Sequence, residues 1–362
     1  MKPTTQTSAS DRIFYFDYLR IFATLAVMII HISAQKWQST SVLSFQWQTF
    51  NFYHSITRWS VPIFVMVSGA LFLDGNKSIA EIYKKNILRI VTSFIFWSIL
   101  YALISFAQGS SIINACEQVI RGHYHMWFLF MIVGLYLIIP LIRKIVESRE
   151  LTKYFLALSL VFTFIIPQGI TLVSLFNKNI EVRANLIIQD INFHFTLGYI
   201  CYFVLGYYLS KVDISKKARY IIYILSIIGF ASTFLGSSFI AVYTNESSGL
   251  MFDNFTLNVM LQSLGVFVFF KYNVGTTGLR EKMQTSIAKL SKYSFGAYLV
   301  HAMIIEQLDN ILGLNTMSFY PIFSTIIIAL ITFVISFVIS YICNCIPVLN
   351  KYIVWLGSRK VK

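Results

Sequence analysis

The sequence predicts an all-α fold, a polytopic transmembrane helical bundle of about ten spans with both termini cytoplasmic. Three observations predict it. Hydrophobic residues make up 57% of the 362 positions and charged residues only 12%, where soluble domains carry about 45–50% and about 25%. With a mean hydropathy of +0.68, the chain suits lipid as its solvent. Apolar stretches long enough to span a bilayer recur along the whole length. Finally, 23 of the 29 Lys and Arg residues fall in one alternating set of connections and the tails, against five in the opposite set. That asymmetry is the positive-inside signal, and it places the basic connections and both ends in the cytoplasm.

The expected spans are 13–34, 50–73, 87–107, 125–142, 152–172, 192–210, 220–241, 250–270, 291–311 and 321–343. Residues 1–12 form a polar cytoplasmic tail, 13–345 one transmembrane domain, and 346–362 a basic cytoplasmic tail. The first apolar run has no small-residue cleavage site near its end, so it reads as a retained helix and not as a signal peptide. A net charge of +14 would point a soluble protein to nucleic acid. Here the charges sit in short connections between spans, which makes lipid the partner and excludes nucleic acid. Cys116, Cys201, Cys343 and Cys345 are scattered and read as small apolar residues. No internal repeat is visible, which weighs against a transporter built of related halves.

The chemistry-bearing residues begin in the first span. Asp17, Arg20 and His31 lie at spacings that matter: eleven residues at about 100° each bring His31 back to the face of Arg20, roughly 16 Å along the axis. Asp17, three residues before Arg20, is placed to pair with it. An arginine inside a span costs at least ~2.5–3.5 kcal/mol unless paired or hydrated. In the second span, Arg58 reads as lying at the outer boundary, followed by Pro62, which bends a helix. Ser68 and Gly69 then permit close helix approach. Before the fourth span stand His123, His125 and Trp127. The two histidines resemble half of a metal site, but no nearby ligand completes it, and no metal is expected. The ninth span carries Tyr298 and His301 on one face, with Glu306 beyond.

These residues, taken in order, resemble the acyltransferase-3 family of integral membrane acyltransferases. Arg20 and His31 with Asp17 are similar to its first-helix arrangement. Arg58, Val61, Pro62, Phe64, Ser68 and Gly69 are similar to its second-helix motif, His125-Met126-Trp127-Phe128-Leu129 to its His-Leu-Trp-Phe-Leu segment, and Ser294, Gly296, Tyr298, Leu299 and His301 to its late-helix motif. The resemblance runs from about 13 to 345 and looks strongest to the stand-alone O-acetyltransferases, such as the enzyme acting on enterobacterial common antigen.

The resemblance implies an enzyme of the bacterial cytoplasmic (inner) membrane. It would move an acyl group from cytoplasmic acyl-CoA, usually acetyl-CoA, to a hydroxyl of an envelope glycan or lipid-linked sugar. Acyl-CoA would be a donor substrate, with no tightly bound cofactor. His31 would be the central catalytic group, as general base or transient acyl carrier, with Arg20 and Asp17 beside it. Arg20, Lys84, Lys85, Arg89, Tyr298 and His301 would form the donor side, though ordinary positive-inside charge accounts for Lys84, Lys85 and Arg89 more readily. Arg58, His125 and Trp127 would shape the acceptor side. The residues alone also fit a proton-coupled transporter or flippase, with His31 and His301 as relay groups, or a membrane sensor.

Overall fold

The computed structural model describes residues 12–75, 77–175, 198–274 and 281–350. Among the described residues all regular structure is helical. This follows from the solvent: in lipid, backbone groups must be satisfied within the segment itself. The main helices are α1 (Phe14–Ala34), α2 (Phe45–Thr57), α3 (Ser60–Phe72), α4 (Ile79–Ala107), α5 (Ile112–Arg121), α6 (Trp127–Leu137) and α7 (Ile139–Val146). They continue with α8 (Arg149–Val173), α9 (Ile200–Lys211), α10 (Lys216–Thr244), α11 (Leu257–Asn273), α12 (Glu281–Leu312) and α13 (Pro321–Cys345).

The bundle is polytopic, as the composition predicts. By length and apolarity alone, seven helical segments are able to cross a membrane, or eight if the bent pair α6–α7 is one span. The ten apolar stretches of the sequence exceed that count for local reasons. The start of the stretch 192–210, together with most of the connection before it, lies outside the described residues. The long α12 carries Lys289, Lys292, Glu306 and Asp309, so it is too polar to qualify. The 59° bend between α6 and α7 falls at Ile138, where Pro140 occupies the first turn of α7 and supplies no amide hydrogen. Of the tails, only Arg12 and residues 346–350 are described.

Basic connections gather at one end of the bundle. Arg143 donates to the carbonyls of Lys77 and Phe72 at 2.7 and 2.8 Å. Lys211 pairs with Asp74, and Lys271 donates to the carbonyls of Leu209 and Val212 at 2.7 Å each. At the far end, Trp47 donates to Ser247 at 2.8 Å, Asn254 to Tyr199 at 2.8 Å, and Gln168 to Asn258 at 3.0 Å.

Helix α1 stands in the middle, packed against α2, α3, α11, α12 and α13. Its buried side chains, among them Phe16, Leu19, Ala23 and Ile32, hold Arg20 and His31 at fixed positions inside the bundle. Outward faces are also apolar, as lipid requires: Ile221, Ile224, Ile228 and Leu235 of α10 are all exposed. Helices α3 and α9 cross with their backbones nearly touching. A Cβ on Gly69 would fall 1.8 Å from the Phe203 carbonyl oxygen, and one on Gly206 2.0 Å from that of Met66. Only glycine fits either place.

Candidate active site

Two cavities occupy the bundle end to end, and three aromatic side chains separate them. The larger, about 410 Å³, opens on the basic half and receives Arg12, Arg20, Arg89 and Lys292. Ser68, Ser291 and Ser294 add polar groups to its wall, and among the described residues no carboxylate lines it. The smaller, about 120 Å³, holds His31, Arg58, His125, Trp127 and Asn254. Phe64, Phe128 and Tyr298 line both. Their rings form a triangle, with centroids 5.9 Å apart for Phe64–Phe128, 5.7 Å for Phe128–Tyr298 and 6.5 Å for Phe64–Tyr298. The Tyr298 hydroxyl donates to the His125 carbonyl, which fixes this side of the triangle to the segment before α6.

The first cavity is shaped for an anion. Asp17 lies beside Arg12 of its wall, and its carboxylate takes two bonds from that side chain, 2.7 and 2.9 Å. The sequence expectation that Asp17 pairs with Arg20 is therefore corrected: Arg12, five residues earlier and ahead of α1, holds the carboxylate. Arg20 has no ion-pair partner among the described residues. Arg89 lies over the ring of Phe295, 5.0 Å from its centroid, and its Nε is buried without a hydrogen-bond partner. Excess positive charge thus faces a cavity with apolar inner walls. Guanidinium groups held this way bind phosphates and carboxylates strongly.

Lys84 and Lys85 do not join this cavity. They are exposed on a π-helical turn, Ile82–Ile87, and Lys85 pairs with Glu81 at 2.8 Å. The widened turn shifts the face of α4 that follows, so that Asn86, Arg89 and Ile90 line the cavity instead. His301 also sits elsewhere than with the donor-side groups. It is fully buried beyond the aromatic triangle, with its ring 5.1 Å from that of His31.

Arg58 occupies the break between α2 and α3, not the membrane boundary. The 13 residues of α2 precede it, roughly 20 Å of helix. The sequence obscures this because α2 is polar, with Gln46, Gln48, Asn51 and His54 on its turns; Asn51 and His54 nevertheless point inward and are buried. Arg58 lies 3.0 Å from Nε2 of His54 and over the ring of Phe252 at 4.5 Å. It has no carboxylate within ion-pair distance among the described residues. Pro62 stands in the first turn of α3, where a missing amide hydrogen costs nothing. Gly296, on α12, is one residue before the buried Ala297.

Several site residues escape a reading of the sequence. Arg12 looks like part of a basic tail. Lys292 and Ser291 look like a connection, although 291, 294/295 and 298 share one helical face, a signal that was available. His54 and Tyr101 carry no motif and enter only through tertiary packing.

The fold and the two cavities define a multi-pass membrane protein with a basic chamber that shares three lining residues with a histidine-lined one. A family model described as an acyltransferase domain, that of the acyltransferase-3 family, matches residues 13–345. The chain belongs to that family and is a membrane acyltransferase. No curated protein and no solved structure matches it.

Proposed function

We propose that the protein is an O-acyltransferase moving a short acyl group, acetyl in the first instance, from cytoplasmic acyl-CoA to a hydroxyl of a cell-envelope glycan. The observation that carries this is the pair of cavities meeting at Phe64, Phe128 and Tyr298. The basic chamber has the charge for the phosphates of CoA, and the positive-inside rule turns it to the cytoplasm. Passing the triangle brings a thioester to His31. The second chamber, about 120 Å³, favours a small acyl group. Beyond it, Asn254 adjoins a far-end groove of about 670 Å³ walled by Gln168, Thr244, Ser247, Asp253 and Thr256. Neutral and acidic hydrogen-bonding groups of this kind suit a polyhydroxyl acceptor.

In this reading His31 takes the proton of the acceptor hydroxyl as that oxygen attacks the thioester carbonyl. Arg58, rigidly held and unpaired, faces the oxyanion that develops. Collapse expels the CoA sulfur, and the acyl group stays on the acceptor. A histidine-linked acyl intermediate uses the same groups in two steps. The test is acetyl transfer from labelled acetyl-CoA to an envelope glycan fraction by purified protein in detergent. Wild type forms product and His31→Ala does not. A transporter would form none in either case, and retained activity in His31→Ala would overturn the assignment of His31.

A further inference from the structure

A line of titratable groups leaves the His31 chamber by a route that neither cavity uses. The His31 and His301 rings are 5.1 Å apart, and those of His301 and His125 are 4.9 Å apart. Nδ1 of His125 is 3.1 Å from Nδ1 of His123, and Nε2 of His123 is 3.0 Å from Glu306. His125 and His301 are 1% and 0% exposed, whereas the Glu306 side chain is 39% exposed. The line therefore starts beside the reaction chamber and ends at a carboxylate on the surface of the bundle, in the half away from the basic connections.

One set of proton positions satisfies the bonds along it. A carbonyl oxygen only accepts, so Nδ1 of His301, bonded to the Tyr298 carbonyl, carries the proton and Nε2 is bare. With Glu306 ionised, His123 donates to it from Nε2, and its Nδ1 then accepts from Nδ1 of His125. Nε2 of His125 is bare as well. These two Nε2 atoms are buried, on neighbouring rings, and have no hydrogen-bond partner among the described residues. A proton delivered to either one supplies the donor that both lack. Tyr101 braces the end of the line. Its ring stacks on His123 at 4.2 Å, while its hydroxyl donates to the Leu299 carbonyl and accepts from the Met303 amide.

We propose that His301, His125, His123 and Glu306 form a relay that carries the proton taken up by His31 to the outer surface. This rests on the acyltransfer reading above. His301, whose Nδ1 proton is held by the Tyr298 carbonyl, takes the proton from His31 and passes it to His125 at Nε2 alone, whereas His125 and His123 each receive a proton on one nitrogen and release one from the other. A proton arriving at Nε2 of His125 thus frees the one on Nδ1 to His123, and His123 frees its own to Glu306 and water. The balance closes. The acceptor O–H and thioester C–S bonds break and the ester C–O bond forms. The sulfur keeps its electron pair and takes a proton from cytoplasmic water, while the hydroxyl proton leaves outside. Each transfer then moves acidity across the membrane in one direction. The charged and titratable groups around the line are His31 on α1, His54 and Arg58 at the α2–α3 break, and Tyr101 on α4. Tyr124 lies in the segment before α6, and Tyr298 on α12.

The test uses cells making each variant at equal level, pulsed with labelled acetate, with base-labile acetyl on washed envelopes as the readout. Glu306→Gln and His123→Asn are expected to lower incorporation about tenfold or more. Raising the external pH or adding external imidazole should restore much of it, and Glu306→Asp should retain most of the activity. Incorporation equal to wild type in both variants, or a loss that neither pH nor imidazole alters, would overturn the relay. If wild-type cells carry no more acetyl than cells lacking the protein, the acyltransfer reading itself fails. A misfolded variant is recognised by its absence from detergent extracts, and the other variant then decides.

Discussion

Asp17 on α1 and Arg12 just before it are joined by a two-point ion pair of 2.7 and 2.9 Å, the carboxylate 4% exposed and the guanidinium 46%. This pair settles the charge of the basic chamber. It consumes the nearest carboxylate and leaves Arg20, Arg89 and Lys292 for a ligand. It also anchors the start of α1 to α12, since Arg12 donates to the Ala288 carbonyl at 3.3 Å.

The pair and Arg20 should therefore respond differently to mutation. Arg12→Ala leaves a buried carboxylate without its donors and should cost about 1–3 kcal/mol of stability. Arg12→Ala combined with Asp17→Asn should recover part of that loss. Arg20→Ala orphans no carboxylate and should unfold close to wild type. Thermal unfolding of the four proteins in one detergent measures this; equal destabilisation by Arg12→Ala and Arg20→Ala would contradict it.

Donor affinity should follow cavity lining and not proximity to the membrane surface. Arg20→Ala and Arg89→Ala each remove a charge-assisted contact worth about 1.5–3 kcal/mol, about 10- to 100-fold in the Kd of acyl-CoA. Lys84→Ala and Lys85→Ala should change it by less than about threefold, as expected for exposed charges screened by salt. Calorimetric titration with CoA ranks all four.

How much of this was legible in the sequence depended on whether a relationship lay within one helix. Arg20 and His31 share a face because eleven residues nearly close three turns, and no fold is needed to see it. The Gly69 contact with α9 was half visible, since small residues announce close approach but not the partner. The convergence of His31, His301, His125 and His123 comes from α1, α12 and the segment before α6. Spacing along the chain carries no trace of such packing. Arg58 misled for another reason: Asn51 and His54 make the start of the stretch 50–73 polar, so the residue looks like a boundary, whereas the apolar segment runs back to Phe45 and Arg58 falls near its middle. The π-helical turn that swings Arg89 inward and leaves Lys84 and Lys85 outside has no signature in residue type.

The aromatic triangle should set acyl size. Phe64 and Phe128 close the passage edge to face, with ring centroids 5.9 Å apart. Truncation of either enlarges the smaller chamber toward the larger one. Phe128→Ala should raise the ratio of butyryl to acetyl transfer about tenfold, the range that one or two methylenes confer in an apolar pocket. Competition between the two acyl-CoAs, with an envelope fraction as acceptor, gives the ratio directly. An unchanged ratio at reduced overall rate would mean that the triangle packs the bundle without gauging the acyl group.

Arg58 provides the sharpest separation of chemistry from binding. His54 holds its guanidinium from one side at 3.0 Å and the Phe252 ring supports it at 4.5 Å, so one planar donor fork is presented to the chamber that contains His31. Lysine keeps the charge but not the fork or the stacking. If Arg58 meets the developing oxyanion, Arg58→Lys should lower kcat about 10²- to 10³-fold, as loss of a preorganised oxyanion donor does elsewhere. The Kd of acyl-CoA should stay within a few-fold, because the phosphates are held in the other chamber. His54→Gln should fall between, since an amide still offers an oxygen to position Arg58 but places it less rigidly. Steady-state rates and donor titrations on the same preparations distinguish the cases. An Arg58→Lys protein with normal kcat and weakened donor binding would move Arg58 from the reacting centre to the donor site.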